Sequence, residues 1–162
     1  MKNFLSILII IISAQSATAQ LKTTAICPTF SADIMAGTVN ELFAKSAIGE
    51  IQIMFPCFSE TVLLDSANKC AGVFYMDKDI SFYTDRQYIE IGEKFKGKLS
   101  PALLGANRSS LFSLFGHPKL KDTNWEAFQM GYGTLILYYN KAAKINKIII
   151  SSKTTDAIKL CE

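Results

Sequence analysis

WEAFQMGYGTLILYYNKAAKINKIIIS, from Trp125 to Ser151, decides how this chain folds. Three apolar-rich runs, Trp125–Met130, 134–139 and 144–151, are separated by Gly131-Tyr132-Gly133 and Asn140-Lys141-Ala142-Ala143. Short β-branched and aromatic runs bounded by Gly and Asn clusters predict three antiparallel strands. Successive strand side chains point to opposite faces, so if Phe128 and Met130 face the core, Trp125, Ala127 and Gln129 face away. In the middle run Leu135, Leu137 and Tyr139 alternate with Thr134, Ile136 and Tyr138, which makes both faces apolar.

Just upstream, Asn107 is a plausible N-cap, and Leu111, Phe112, Leu114 and Phe115 make an apolar helix face. Gly116 stands where a helix-ending glycine belongs, with Pro118 beyond it. The unit is therefore a short helix followed by an antiparallel meander, over 107–151.

A looser version of the same unit precedes it. Thr38-x-x-Glu41 reads as a capping box opening a helix through Leu42, Phe43 and Ala44. Ile51, Ile53 and Phe55 then alternate as in a strand that Pro56 ends. Further strands are expected at 60–64, 71–76, 80–84 and Tyr88–Ile91, with Asp77-Lys78-Asp79 as a hairpin turn. The fold class is thus α+β, two helix-plus-antiparallel-sheet units in tandem, 38–91 and 107–151. The segment 92–106 joins them. Lys94, Lys96 and Lys98 share one face of it if it is extended, and Ser100-Pro101 starts a short helical turn ending at Gly105. Those lysines read either as a seat for an anionic partner or as a solvated connection.

The first 19 residues stand outside that plan. Lys2 is followed by the apolar run from Phe4 to Ile12 and by Ala17-Thr18-Ala19, the pattern of a cleaved secretory signal peptide too short to span a bilayer. Cleavage after Ala19 leaves a single exported domain over 20–162, with net charge +2 instead of +3. That near-neutral balance speaks against a nucleic-acid partner. The mature chain has no apolar run long enough for an integral membrane span, and no cysteine follows the leader to carry a lipid anchor. A secreted or periplasmic location follows.

All four cysteines, at 27, 57, 70 and 161, lie in the mature part. An even count in an exported chain predicts two disulfides, with three connectivities open. The preferred pairing is Cys57–Cys70, a staple around a local insertion, with Cys27–Cys161 tying the ends together. A metal site is not expected, since no C-x-x-C occurs and His117 is the only histidine.

The run from Asn107 to Pro118 together with 125–150 resembles one half of the secreted β-lactamase-inhibitor-like fold. It is also similar to the related small outer-membrane-assembly lipoprotein domain, although the lipidated cysteine of those lipoproteins is missing here. The resemblance implies a helix-plus-sheet module that works by binding other proteins. It supplies an architecture and no site residue.

Little in the chain points to catalysis. His117 sits in a Gly-His-Pro turn without a G-x-S-x-G nucleophile or a free thiol to activate. Asp77 and Asp79 lack the donors and glycine of a calcium loop, and they read as turn residues. Gly131-x-Gly133 does not continue into a phosphate loop. Asn107-Arg108-Ser109 is a formal glycosylation sequon that the cap role also explains. No cofactor is expected.

The aromatics suggest a binding surface. If Ile80, Phe82, Ile89 and Ile91 point inward, Tyr83 and Tyr88 share the outward face with Trp125 and Tyr138. Trp and Tyr dominate binding hot spots. The alternative is that both sheet faces are covered. The expectation is an exported, non-enzymatic protein-binding module, inhibitor-like or envelope-associated, with those four residues as its candidate seat. Two other functions stay open: a small envelope hydrolase working through Asp77 and Asp79, and a periplasmic immunity protein neutralising a toxin.

Overall fold

The computed structural model describes residues 26–64 and 70–161. The leader expected over 1–19 lies outside them. In chain order the strands begin with β1 (Ser31–Asp33), β2 (Thr38–Val39) and β3 (Leu42–Phe43), followed by helix α1 (Ile48–Met54). Next come β4 (Glu60–Val62), β5 (Gly72–Tyr75), β6 (Ile80–Tyr83), β7 (Tyr88–Ile91) and β8 (Lys98–Ser100). Helix α2 (Phe112–Phe115) precedes β9 (Leu120–Lys121), β10 (Trp125–Met130), β11 (Gly133–Tyr139) and β12 (Ile145–Ser151).

Eight strands form one antiparallel sheet in the order β4-β5-β6-β7-β12-β11-β10-β9. Each half is a four-stranded meander entered from a short helix. The halves meet where the last strand of each, β7 and β12, pair with Ile148 opposite Ile91 and Ile150 opposite Ile89. A second sheet, β3-β2-β1-β8, is small, and its β1–β8 pairing is parallel. The structure is therefore α+β but rich in sheet, with two short helices and two disulfides.

The principal core lies between the inner face of the large sheet and the layer made by the small sheet and α1. Phe30 and Phe55 stack with centroids 4.0 Å apart, and Tyr75 meets both edge-on. The buried Tyr75 hydroxyl donates to the Phe55 carbonyl oxygen at 2.8 Å, so the aromatic payload leaves no polar atom unsatisfied there. Gly37, at φ 72°, lies against the Tyr132 ring and couples the small sheet to the β10–β11 turn. A side chain there would collide with that ring, and the backbone angle favours glycine in any case.

The first unit departs from the sequence reading in two places. Residues 38–43 are not helical: Asn40 and Glu41 take left-handed φ values of 46° and 69° and form the two-residue turn of the β2–β3 hairpin. Residues 51–54 are not a strand but the end of α1. That helix buries Ile51 and continues its apolar line to the buried Phe55, while Ile53 is 85% exposed. Glu50 Oε2 accepts the Ala47 amide at 2.9 Å, which secures the first turn.

The segment 92–106 is also more than a connection. It contributes β8 to the small sheet and packs Phe95 against the core, with Lys94, Lys96 and Lys98 exposed. No helical turn forms after Pro101; 101–106 is irregular.

The disulfides join Cys27 to Cys57 and Cys70 to Cys161, with Cα separations of 5.3 and 6.0 Å. This corrects the expected Cys57–Cys70 and Cys27–Cys161 pairing. Cys27 and Cys57 flank the stacked Phe30–Phe55 pair on the inner side of the sheet, whereas Cys161 packs on the outer side. The sheet itself separates Cys27 from Cys161. No cysteine is free among the described residues, and two disulfides fit an oxidising compartment.

Candidate binding face

Strand alternation sends a second set of side chains to the outer face of the large sheet. Trp125 and Tyr138 are direct cross-strand partners on β10 and β11, and Tyr83 and Tyr88 are direct partners on β6 and β7. Ala127, Ile136 and Ile149 fill the floor between those pairs. The structure thus brings all four predicted aromatics to one face, in two pairs. Tyr83 and Tyr88 stack at 4.4 Å, and Phe74 adds an edge contact to Tyr83 at 5.3 Å.

The face is not open along its whole width. The chain after β12 turns back, and residues 152–161 run across it as a tail. Ser152 N–H donates to the Gln87 carbonyl at 3.1 Å, and the Thr134 hydroxyl donates to the Lys153 carbonyl at 2.7 Å. The Thr155 amide and hydroxyl both donate to Gln129 Oε1 at 3.3 Å. At the far end the Cys161 amide donates to the Tyr88 hydroxyl at 3.2 Å, and the Cys70 disulfide fixes the end covalently.

Tyr88 is buried as a result, at 1% exposure, and is closed to a partner while the tail is in place. Trp125, Tyr138 and Tyr83 remain half-buried. Burial raises the phenol pKa of Tyr83 and Tyr138, with the Glu90 carboxylate pushing the same way. Both hydroxyls therefore stay neutral at physiological pH and keep their donor proton.

Between the tail and β9–β11 lies a groove of about 320 Å³. Trp125, Ala127, Ile136 and Tyr138 come from the sheet, Leu120 from the edge strand, and Thr155, Ile158 and Leu160 from the tail. Lys147 Nζ sits over the Tyr138 ring at 4.4 Å, close to Glu90 at 3.5 Å. The exposed Lys119–Asp156 pair, at 2.8 Å, ties the tail to the approach to β9. Sequence reasoning missed Leu120, Ile158 and Leu160. For Ile158 and Leu160 the only signal was the Ile-Lys-Leu-Cys run at 158–161, alternating next to a cysteine.

The residues weighed for chemistry do not assemble into a catalytic set. Asp77 is exposed and pairs with Lys78 at 2.7 Å. That hydrogen bond holds its carboxyl below the usual range, opposite to what a general acid needs. Asp79 Oδ2 accepts the Lys94 amide at 2.7 Å and ties the β5–β6 turn to the segment after β7.

His117 lines a small cleft with Arg108, Ser109 and Glu126, and meets Phe112 edge-on at 4.7 Å. Both Glu126 oxygens are already engaged: Oε1 accepts Arg108 Nε at 2.9 Å and Oε2 accepts the Tyr139 hydroxyl at 2.6 Å. Arg108 also stacks on the Tyr139 ring and donates to the Thr123 and Asp122 carbonyls. This cluster pins the segment around Asn107 to the sheet. Asn107 precedes a 3₁₀ turn without a side-chain cap bond. Among the described residues no group of three or more His, Cys, Asp or Glu is placed to hold a metal ion, and no helix is long and apolar enough to cross a membrane.

Comparison with protein-family models, curated proteins and solved structures finds no match to this chain.

Proposed function

We propose that the protein is an exported, non-enzymatic module that binds a protein partner on the outer face of its large sheet. The observation that carries this reading is the groove floored by Trp125 and Tyr138 and walled by the chain's own tail. A cross-strand Trp–Tyr pair at the bottom of an apolar concavity offers large area with little side-chain entropy to lose. The half-buried Tyr83 extends the same face toward β5.

The leader-like first 19 residues and the two disulfides support a secreted or periplasmic location. The resemblance to the β-lactamase-inhibitor-like fold supports binding as the mode of action. We extend that resemblance to the tandem plan. Two meanders, each entered from a short helix, meet through their last strands, as two copies of one unit would. A periplasmic immunity protein is a narrower form of the same reading and would use the same face. The carboxylate hydrolase is not favoured, because Asp77 and Asp79 serve a turn.

A photo-crosslinking side chain at position 138, with the same group at the exposed position 76 as comparison, tests the proposal. Adducts to an envelope or secreted protein from position 138 alone support it. Adducts from position 76 alone contradict it.

A further inference from the structure

The sheet alone does not make the aromatic groove. Thr155, Ile158 and Leu160 line it from the tail, and the two ends of the tail are held in different ways. At the near end the Ser152 amide donates to the Gln87 carbonyl, the Lys153 carbonyl accepts the Thr134 hydroxyl, and the buried Thr155 donates twice to Gln129. The far end, 157–161, turns its first amides back on the tail itself: Ala157 and Ile158 both donate to the Thr154 carbonyl at 3.0 Å. It rests on the sheet through Ile158 and Leu160, each only half-buried, and through the Cys161 amide on the Tyr88 hydroxyl at 3.2 Å.

Two half-buried aliphatic side chains are weak anchors, and a segment with few buried apolar contacts opens locally at little cost. The Cys70–Cys161 disulfide removes that freedom by joining the far end to the approach to β5, across 91 positions. Cys27 and Cys57 have no such role, since both pack against the principal core on the inner side. Opening Cys70–Cys161 therefore takes one wall from the groove and leaves the inner core, with Cys27–Cys57, in place. The floor that remains, Trp125 beside Tyr138 with Ala127 and Ile136, is then a sheet surface without its concavity.

We propose that the Cys70–Cys161 disulfide is a redox switch that assembles the binding groove, with the oxidised form as the binding form. This inference rests on the binding reading above and adds the regulation of the same site. In the dithiol state, which a reducing cytosol maintains, the far end of the tail is loose and the groove is unmade. Closure is an exchange with a disulfide-bearing oxidant. One cysteine thiolate attacks the oxidant's disulfide, forming a mixed disulfide and releasing one thiolate. The other cysteine then attacks that link, and the oxidant leaves as a dithiol. Two electrons pass to the oxidant, and the two thiol protons end on its sulfurs. Binding competence arises only where such an oxidant is present, which keeps the chain from engaging partners before export.

Trp125 is the only tryptophan in the chain and floors the groove, so its emission reports the wall directly. The oxidised protein is titrated with dithiothreitol, while alkylation and peptide mapping follow each disulfide separately. A red shift of the emission and easier quenching by acrylamide are expected as Cys70–Cys161 opens, independently of Cys27–Cys57. Unchanged emission after Cys70–Cys161 has opened overturns the proposal. In the producing cell, the photo-crosslinker at position 138 is compared between the disulfide-bonded protein and C70S/C161S. Adduct yield is expected to fall at least about tenfold in C70S/C161S, the scale of losing two aliphatic contacts. L160N keeps the disulfide and spoils one wall residue, so it should lower the yield with the fold retained, which circular dichroism checks. Equal adducts from C70S/C161S, or undiminished adducts from L160N, overturn the switch and leave the binding reading standing. Absence of adducts from the disulfide-bonded protein itself removes the binding reading, and the switch with it.

Discussion

The two faces of the large sheet are covered in different ways. The inner face is sealed by a whole layer, the small sheet with α1, around the Phe30, Phe55, Tyr75 and Phe82 cluster. Among the described residues the outer face is crossed only by the ten residues 152–161, held by scattered hydrogen bonds, one exposed ion pair and one disulfide. A layer that buries large side chains completely belongs to stability. A narrow tail that leaves Trp125 and Tyr138 half-covered leaves a surface for something else.

That contrast breaks first on the inner side. Phe55→Ala removes a fully buried ring from the stacked cluster, and a loss of about 3–5 kcal/mol in urea denaturation is expected. A loss below about 1 kcal/mol would mean the inner layer is not the main core.

The outer side should yield differently. Replacing Cys70 and Cys161 together by serine frees a link that spans 91 residues, at a cost of about 2–5 kcal/mol. Trypsin should then cut at Lys153 and Lys159 while 26–151 stays folded. Protection of both sites in the variant would show that the weak contacts alone hold the tail.

The contrast also explains what could be read from the sequence. β10 and β11 were legible because each keeps its period of two between Gly and Asn turns, and β12 was legible as a β-branched run, although a bulge puts Ile145 and Ile148 on the same face. The sorting of Trp125 from Phe128, and of Tyr88 from Ile89, needs nothing more. The region 38–55 was not legible, because two patterns compete there. Thr38-x-x-Glu41 looks like a cap, yet Asn40 and Glu41 adopt left-handed angles and turn a hairpin. Ile51, Ile53 and Phe55 alternate, yet Ile48, Ile51 and Phe55 also fit a helix face, and burial chose the second set.

The disulfide pairing depends on which side of the sheet each cysteine reaches, a long-range property that spacing does not carry. The tail was missed for the same reason. It is short and mostly polar, and Ile158 and Leu160 matter only because Cys161 places them against the sheet.

A smaller effect sharpens the inner side. Tyr75→Phe leaves the buried Phe55 carbonyl without its donor and should cost about 1–2 kcal/mol by denaturation. No measurable change would place solvent at that carbonyl.

The smallest effect on stability should accompany the largest effect on function. Trp125→Ala is the most direct measurement, made as partner capture and melting temperature on the same preparation. The account predicts that capture is lost while stability falls by no more than about 1 kcal/mol, as for a partly exposed residue outside the main core. Undiminished capture, or a loss as large as that of Phe55→Ala, would make the outer face a second core and contradict the account.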